Sequence, residues 1–206
     1  TVGSRRVHFE FFDLMRSVED HLARLDALAP PVLVPPPSML RMLAEARDGG
    51  ALGILPAKVI SVAEVLDPLD ALHIARAFGD PVHQIYQATE GLLGTTCTEG
   101  TLHLAEDGLV IQREYLDADR TRFTPVITDF RRTSQPILRY RLDDVLVLRR
   151  DPCPCGAVTT ALDCVEGRAD DLFYLPRIAG GPLRPVFPDF VRRAVIAASD
   201  AIEAYG

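Results

Sequence analysis

Between Lys58 and Tyr86 the chain runs strand, helix, strand with very little between them. Lys58-Val59-Ile60-Ser61-Val62 is a β-branched run. Residues 66–78 carry a helical pattern, opened around Asp67-Pro68 and closed by Gly79, and Val82 to Tyr86 is a second β run. Two strands joined through a helix by loops this short are expected side by side and parallel, so this segment predicts an α/β layer built on a parallel sheet. Ligands of such sheets sit beyond the C-terminal ends of the strands. That rule singles out two short segments, Ala63-Glu64 and Gln87-Ala88-Thr89-Glu90.

The flanking sequence extends the pattern. Residues 10–28 read as one helix, because Phe11, Leu14, Val18, Leu22 and Leu25 recur at three and four residues. Pro30-Pro31 stops it, Val32-Leu33-Val34 is a short β run, and Ser38 stands where an N-cap belongs for a helix over residues 39–47, ended by Gly49-Gly50. From about residue 100 the rhythm changes. Leu102 to Leu104, Leu109 to Ile111, Val126 to Thr128, Ile137 to Tyr140 and Val145 to Leu148 are short β runs separated by turn residues, as in an antiparallel sheet or small barrel. Residues 190–203 return to a helical pattern. The expected division is an α/β part over 1–100, a β-rich part over 101–166, and a hinge with a terminal segment over 167–206.

Charge narrows the partners. A net charge of −7 argues against nucleic acid and anionic membranes, whose phosphates reward clustered Lys and Arg. No apolar run reaches the ~18–20 residues of a membrane span. The opening residues are polar and lack the apolar stretch of a signal peptide. With four cysteines and no sign of secretion, metal binding is expected over a disulfide framework, and cytoplasm is the expected compartment.

Three motifs stand in order: Tyr86-Gln87-Ala88-Thr89-Glu90, Tyr140-Arg141-Leu142-Asp143-Asp144 and Gly167-Arg168-Ala169-Asp170-Asp171. Their order and spacing resemble the adenylate-forming superfamily of acyl- and aryl-CoA ligases, with motifs Y-x-x-T-E, Y-R-x-x-D and G-R-x-D-D. The branch they are most similar to is that of phenylacetate-CoA ligase and coenzyme F390 synthetase-like proteins. Ile60 to Glu64 and Pro36-Pro37-Ser38 fit two further segments of that branch. The resemblance spans essentially the whole chain. It implies a partial adenylate-forming N-terminal domain, a parallel βαβ layer followed by an antiparallel sheet or small barrel.

The resemblance also implies roles. Ala63-Glu64 would lie along the adenine of ATP or AMP, with Tyr86 beside the base and Gln87 in the same loop. Thr89 would offer its hydroxyl to the α-phosphate, and Glu90 would hold Mg²⁺, which prefers carboxylate oxygen. Asp144 would accept from the ribose hydroxyls, and Arg168 would reach the ribose or phosphates. Asp170 would mark the hinge to a mobile C-terminal lid, whose start would fall within residues 167–206. One departure matters: the residue before the ribose carboxylate, usually Gly, is Asp143 here.

Cys97, His103, Cys153 and Cys155 form a second constellation. In Cys153-Pro154-Cys155-Gly156 the prolines favour an extended segment, where residues two apart point to one side. Three thiolates and an imidazole would make a closed, structural zinc site. The resemblance supports this, since members of that branch share a Cys…His pair after T-E and a C-x-C-G before G-R-x-D-D. Cys164 reads as a core thiol, and His83 as a packed histidine just before the T-E motif.

Three parts of a complete ligase are not found in the sequence. Residues 1–85 contain no Ser/Thr/Gly-rich phosphate loop, Lys58 is the one lysine, and most of an acyl pocket is missing. An internal fragment of an ATP-dependent acid–thiol ligase is therefore expected, inactive in isolation. Its substrate would be a carboxylic acid and its acceptor the thiol of CoA or of a carrier protein. Self-association is expected of a sheet face left uncovered. Two alternatives stay open: a non-enzymatic zinc-stabilised module that kept the fold and lost the chemistry, and an unrelated nucleotide-binding protein. The latter would not place Asp144 near Thr89.

Overall fold

The computed structural model describes residues 2–3, 7–13, 15–178, 180–181, 183–186, 191 and 198. The chain packs as two compact units, residues 1–83 and 84–206. The helix expected over 190–203 lies outside the described residues but for 191 and 198.

In the first unit, β1 (Val2–Gly3) and β2 (His8–Phe9) pair antiparallel. Helix α1 spans Val18–Leu28, eight residues shorter at its start than periodicity suggests. Asp13 explains the difference: its carboxylate accepts from Met15 N (3.0 Å) and its carbonyl from Arg16 N (3.0 Å), making a turn where the helix would have run. Ser17 then caps α1 by accepting from Asp20 N at 3.2 Å. Phe11 is left exposed rather than joining the stripe.

Strand β3 (Val32–Leu33), helix α2 (Pro37–Asp48) and strand β4 (Lys58–Ser61) form a βαβ unit, and β3 pairs parallel with β4. Here too an expectation is corrected. Pro36 holds the N-cap position without a side-chain bond, Pro37 opens the helix, and Ser38 lies inside its first turn. Released from capping, Ser38 donates its hydroxyl to Glu64 Oε1 (3.0 Å) and its N–H to Oε2 (3.2 Å). Helix α3 (Pro68–Phe78) is capped by Asp67 and closed by Gly79 at φ 78°. Arg47, near the end of α2, donates to Ala77 O (2.6 Å) and Ile54 O (2.7 Å) and so ties α2 to α3. The core joins Leu40, Leu43, Ala44, Val59, Ile74 and Phe78.

The second unit is an antiparallel sheet. Strand β5 (Val82–Ala88) leads into β6 (Gly91–Thr96), followed by β7 (Leu102–Leu104), β8 (Leu109–Tyr115), β9 (Arg122–Asp129), β10 (Ile137–Arg141), β11 (Asp144–Leu148) and β12 (Ala161–Arg168). Spatially the strands run β10-β9-β11-β12-β7-β6-β5, with β8 on β9. Strands β10 and β11 share β9, β10 at its residues 126–129 and β11 at 122–123. Between them Leu142 N donates to Pro125 O (2.9 Å), and the chain then passes to β12, setting Asp144 opposite Arg168. The core is Leu93, Leu104, Phe123, Ile127, Leu146 and Leu162. A 3₁₀ turn (Ala169–Asp171) follows β12, then β13 (Phe173–Leu175) and β14 (Arg184–Val186) pair antiparallel.

Strand β6 is not among the runs expected from the sequence, while β12 falls where the surroundings of Cys164 read as strand-like. The sequence of β6, Gly91-Leu92-Leu93-Gly94-Thr95-Thr96, looks like a loop because of its glycines. Gly94 is there for proximity: a Cβ would lie 2.7 Å from His103 O.

Candidate functional site

Two clusters stand in the second unit. The first is organised by the β5–β6 hairpin. Only Thr89 and Glu90 form its turn; Tyr86, Gln87 and Ala88 belong to β5, with Ala88 opposite Gly91. Thr89 and Gln87 are exposed and Glu90 is half-buried. The turn therefore displays a hydroxyl and a carboxylate next to each other.

Tyr86 lies three residues back, pointing inward. Its ring is buried in the core, 9% exposed, and its hydroxyl donates to Asp144 Oδ2 at 2.6 Å. Burial first, and then the facing Asp144 carboxylate, push the phenol well above its ordinary range, so it stays a donor. Asp144 is itself raised, chiefly by burial and further by the charges of Asp143 and Glu90, while the Tyr86 hydroxyl and Arg168 oppose the rise. The charge of Glu90, and then its side chain as a hydrogen-bond partner, raise the phenol of Tyr140. Glu90, Tyr140, Asp144 and Tyr86 thus form one electrostatically linked group drawn from two motifs, and its members Tyr86 and Asp144 are 58 residues apart along the chain.

Arg168 reaches Asp170 Oδ1 (3.3 Å) and Asp143 Oδ2 (3.7 Å), and Arg141 bridges Glu114 (2.7 Å) and Asp143 (3.5 Å). These pairs are exposed and individually worth little. In the first unit, Ala63 sits at φ 70° in a turn closed by Glu64 N to Val62 O (2.9 Å), and Glu64 is held by Ser38. A left-handed alanine carries a conformational cost.

The second cluster joins Cys97, His103, Cys153 and Cys155, whose ligand atoms all lie within 4.8 Å of one another. Cys97 follows β6, His103 is in β7, and the other two sit in the loop between β11 and β12. Cys97 Sγ lies 3.7 Å from Cys153 Sγ, and Cys155 Sγ 3.5 Å from His103 Nε2. A tetrahedral zinc site, with Zn–S about 2.3 Å and Zn–N about 2.0–2.1 Å, has edges of about 3.8 and 3.5–3.6 Å, so the observed spacings fit such an ion. Thr159, through its carbonyl and hydroxyl (both 3.2 Å), engages His103 Nδ1 and leaves Nε2 for the cluster. A bond from the Thr101 side chain, and then the backbone of Cys155, bring the Cys153 thiol down to about 6. At Cys155 the Ala157 N–H favours the thiolate, but burial and the two neighbouring thiols outweigh it and raise the group. Cys164 lies apart, in β12.

Several residues that support these clusters carry no signal in the sequence. Asp129, Arg132, Thr101 and Thr159 belong to no motif, and only their contacts reveal them. Among the described residues no helix is long and apolar enough to cross a membrane.

No family model and no curated protein matches the chain. Solved structures do. A 2-hydroxyisobutyryl-CoA ligase, solved in an open conformation with 2-HIB-AMP and CoA, aligns over 91% of this chain and 45% of its own, with TM-score 0.67 and 22% identity. An anthranilate CoA ligase in complex with anthranoyl-AMP aligns over 91% and 47%, with TM-score 0.57 and 11% identity. A coronafacic acid ligase from Pectobacterium brasiliense aligns over 88% and 37%, with TM-score 0.59 and 14% identity. The chain spans less than half the length of these enzymes. Its mixed α/β architecture, parallel pairing followed by an antiparallel sheet, is the fold of the corresponding part of the 2-hydroxyisobutyryl-CoA ligase.

Proposed function

We propose that this chain is the nucleotide-binding part of an ATP-dependent enzyme that activates a carboxylic acid as its acyl or aryl adenylate and then passes the acyl group to a thiol. The observation that carries the reading is the Tyr86–Asp144 bond of 2.6 Å, which brings the Y-x-x-T-E and Y-R-x-x-D motifs together beside the Thr89–Glu90 turn. The enzymes of like fold are ligases solved with acyl-adenylates. The motifs favour the phenylacetate-CoA ligase and coenzyme F390 synthetase-like branch, with CoA or a carrier-protein thiol as acceptor; the compartment we propose is the cytoplasm.

In the reaction, a carboxylate oxygen attacks the α-phosphorus of ATP, a C–O–P linkage forms, and the bond to pyrophosphate breaks. A thiolate then attacks the acyl carbon and AMP leaves. Both steps gather negative charge near phosphorus, so fixed donors speed them. Thr89 offers its hydroxyl to the α-phosphate. Glu90 presents a carboxylate to Mg²⁺, which when bound would neutralise phosphate oxygen. Asp144 has one oxygen engaged by Tyr86 and would offer the other to the ribose. Tyr86 acts through its hydroxyl, since its ring is in the core. Arg168 serves the ribose or phosphates, Ala63-Glu64 the adenine, with Gln87 on the exposed side of β5, and Asp170 the hinge.

Cys97, His103, Cys153 and Cys155 would hold zinc, a four-donor site with no open position and so a structural one. A second reading rests on that cluster. It is complete without any nucleotide, as it would be in a module that kept the fold and lost the chemistry.

Calorimetric titration with Mg·ATP and with AMP separates the two. Nucleotide binding that Asp144→Ala abolishes supports the enzyme reading. Uptake of one zinc per chain with no nucleotide binding sinks it and favours the module. Pyrophosphate exchange into ATP by this chain alone, across aryl and fatty acids, is expected to be slight.

A further inference from the structure

The turn that carries Thr89 and Glu90 is gripped from outside its own hairpin. The grip comes from the segment after β9. Arg132 Nη2 donates to the carbonyl of Thr89 at 3.3 Å, across 43 residues of chain. Arg132 Nε faces Asp129 Oδ2 at 3.9 Å. The Asp129 side chain is only 6% exposed, whereas Arg132 retains 33%. Asp129 is itself fixed: Oδ1 accepts from Arg131 N at 2.8 Å and lies 3.8 Å from Arg131 Nε. Its Oδ2 also lies under the turn, where a Cβ added at Gly91 would be 3.8 Å away.

A buried carboxylate needs a cation or donors close by, or it is neutralised. Asp129 meets that need with two guanidiniums and one backbone N–H, and in doing so fixes the direction of Arg132. Arg132 then has donors to spare, because a guanidinium carries five N–H groups in a planar fork. One of them closes on Thr89. The carbonyl of a turn residue and its side chain share one peptide frame, so holding the carbonyl limits where the hydroxyl of Thr89 and the carboxylate of Glu90 can point.

The geometry points to Arg132, oriented by Asp129, as a positioning residue that fixes the Thr89–Glu90 turn for Mg²⁺-dependent phosphate binding. This rests on the proposed function for the ligand, but the grip on the turn is a property of the chain alone. It explains an otherwise idle feature, two adjacent arginines over one buried aspartate on the loop facing the turn. Arg131 serves the aspartate and Asp107 (3.8 Å), and Arg132 serves the turn.

The test uses Arg132→Met and Arg132→Lys in the full chain, with Asp129→Asn as a companion. Arg132 is one-third exposed, so its variants are expected to fold, as a thermal midpoint near that of the parent would show. Amide hydrogen exchange gives the first readout. Residues 89–91 should exchange roughly tenfold faster in Arg132→Met while β7 and β12 are unchanged, as a local opening predicts. The second readout is affinity. Mg·ATP should weaken about fivefold, the loss of one modest hydrogen bond, while adenosine, which meets only the Asp144 side, should not move. Arg132→Lys should recover part of both. Unchanged exchange at 89–91 would overturn the inference. Equal weakening of adenosine and Mg·ATP would overturn it too, since that marks a general structural role. If the parent chain binds no nucleotide at all, the proposed function fails, and the exchange result still decides the grip.

Discussion

Asp144 is where the chemistry of single residues is most exposed to test. Burial raises its carboxyl above the ordinary 3.8, and the Tyr86 hydroxyl pulls the other way. The folded chain therefore holds this proton more tightly than the unfolded chain. That contribution to stability is fully present below about 3.8 and is lost as pH rises through the folded midpoint. Tyr86→Phe removes the hydroxyl that favours the carboxylate. The Asp144 midpoint, followed by carbon NMR of the carboxyl, is expected to move further up; a downward move would show that the bond does not support the charged form. This pairing was only half legible in the sequence. The motif placed Tyr86 and Asp144 in one site. That the ring would sink into the core and the hydroxyl alone reach the site depends on the core formed with Leu93 and Phe123, neither of which belongs to a motif.

Among the elements, the β6–β7 hairpin does most to bring the two clusters into register. Its turn with β5 holds Thr89 and Glu90, and its far end holds Cys97 and His103. Gly94 lets the two backbones approach, opposite Leu104 in register and against the His103 carbonyl. Gly94→Ala puts a methyl 2.7 Å from that oxygen. It is expected to cost about 1–3 kcal/mol in urea unfolding, as overpacking does, and to weaken zinc binding by shifting His103. Loss of stability with unchanged zinc affinity would separate the hairpin from the proposed zinc site. Periodicity finds β7 but reads β6 as a loop, because glycine within a strand carries the same signal as glycine in a turn. The helix expected from residue 10 fails for a similar reason. The apolar spacing continues upstream, but Asp13 bonds locally to Met15 and breaks it. The strand, helix and strand expected between Lys58 and Tyr86, by contrast, follow from chain length and strand chemistry and are β4, α3 and β5, and the parallel pairing in the first unit is that of β3 with β4.

At the scale of the molecule, the four-ligand cluster has a consequence for how the chain finds its structure. Cys97 and His103 come together within one hairpin, but Cys97 and Cys153 are 56 residues apart and His103 and Cys155 are 52 apart. Contacts that far apart in sequence close late, after local hairpins, because the loop between them must first be gathered. An ion seated on all four donors is therefore a clock for that late event. Cobalt in place of zinc would colour only when the long loop has closed. In refolding from urea with cobalt present, the visible thiolate band should grow with the slow phase, after the early change in far-ultraviolet signal. Colour arriving with the early phase would mean that the ion gathers its ligands before the sheet forms, and that metal leads folding here.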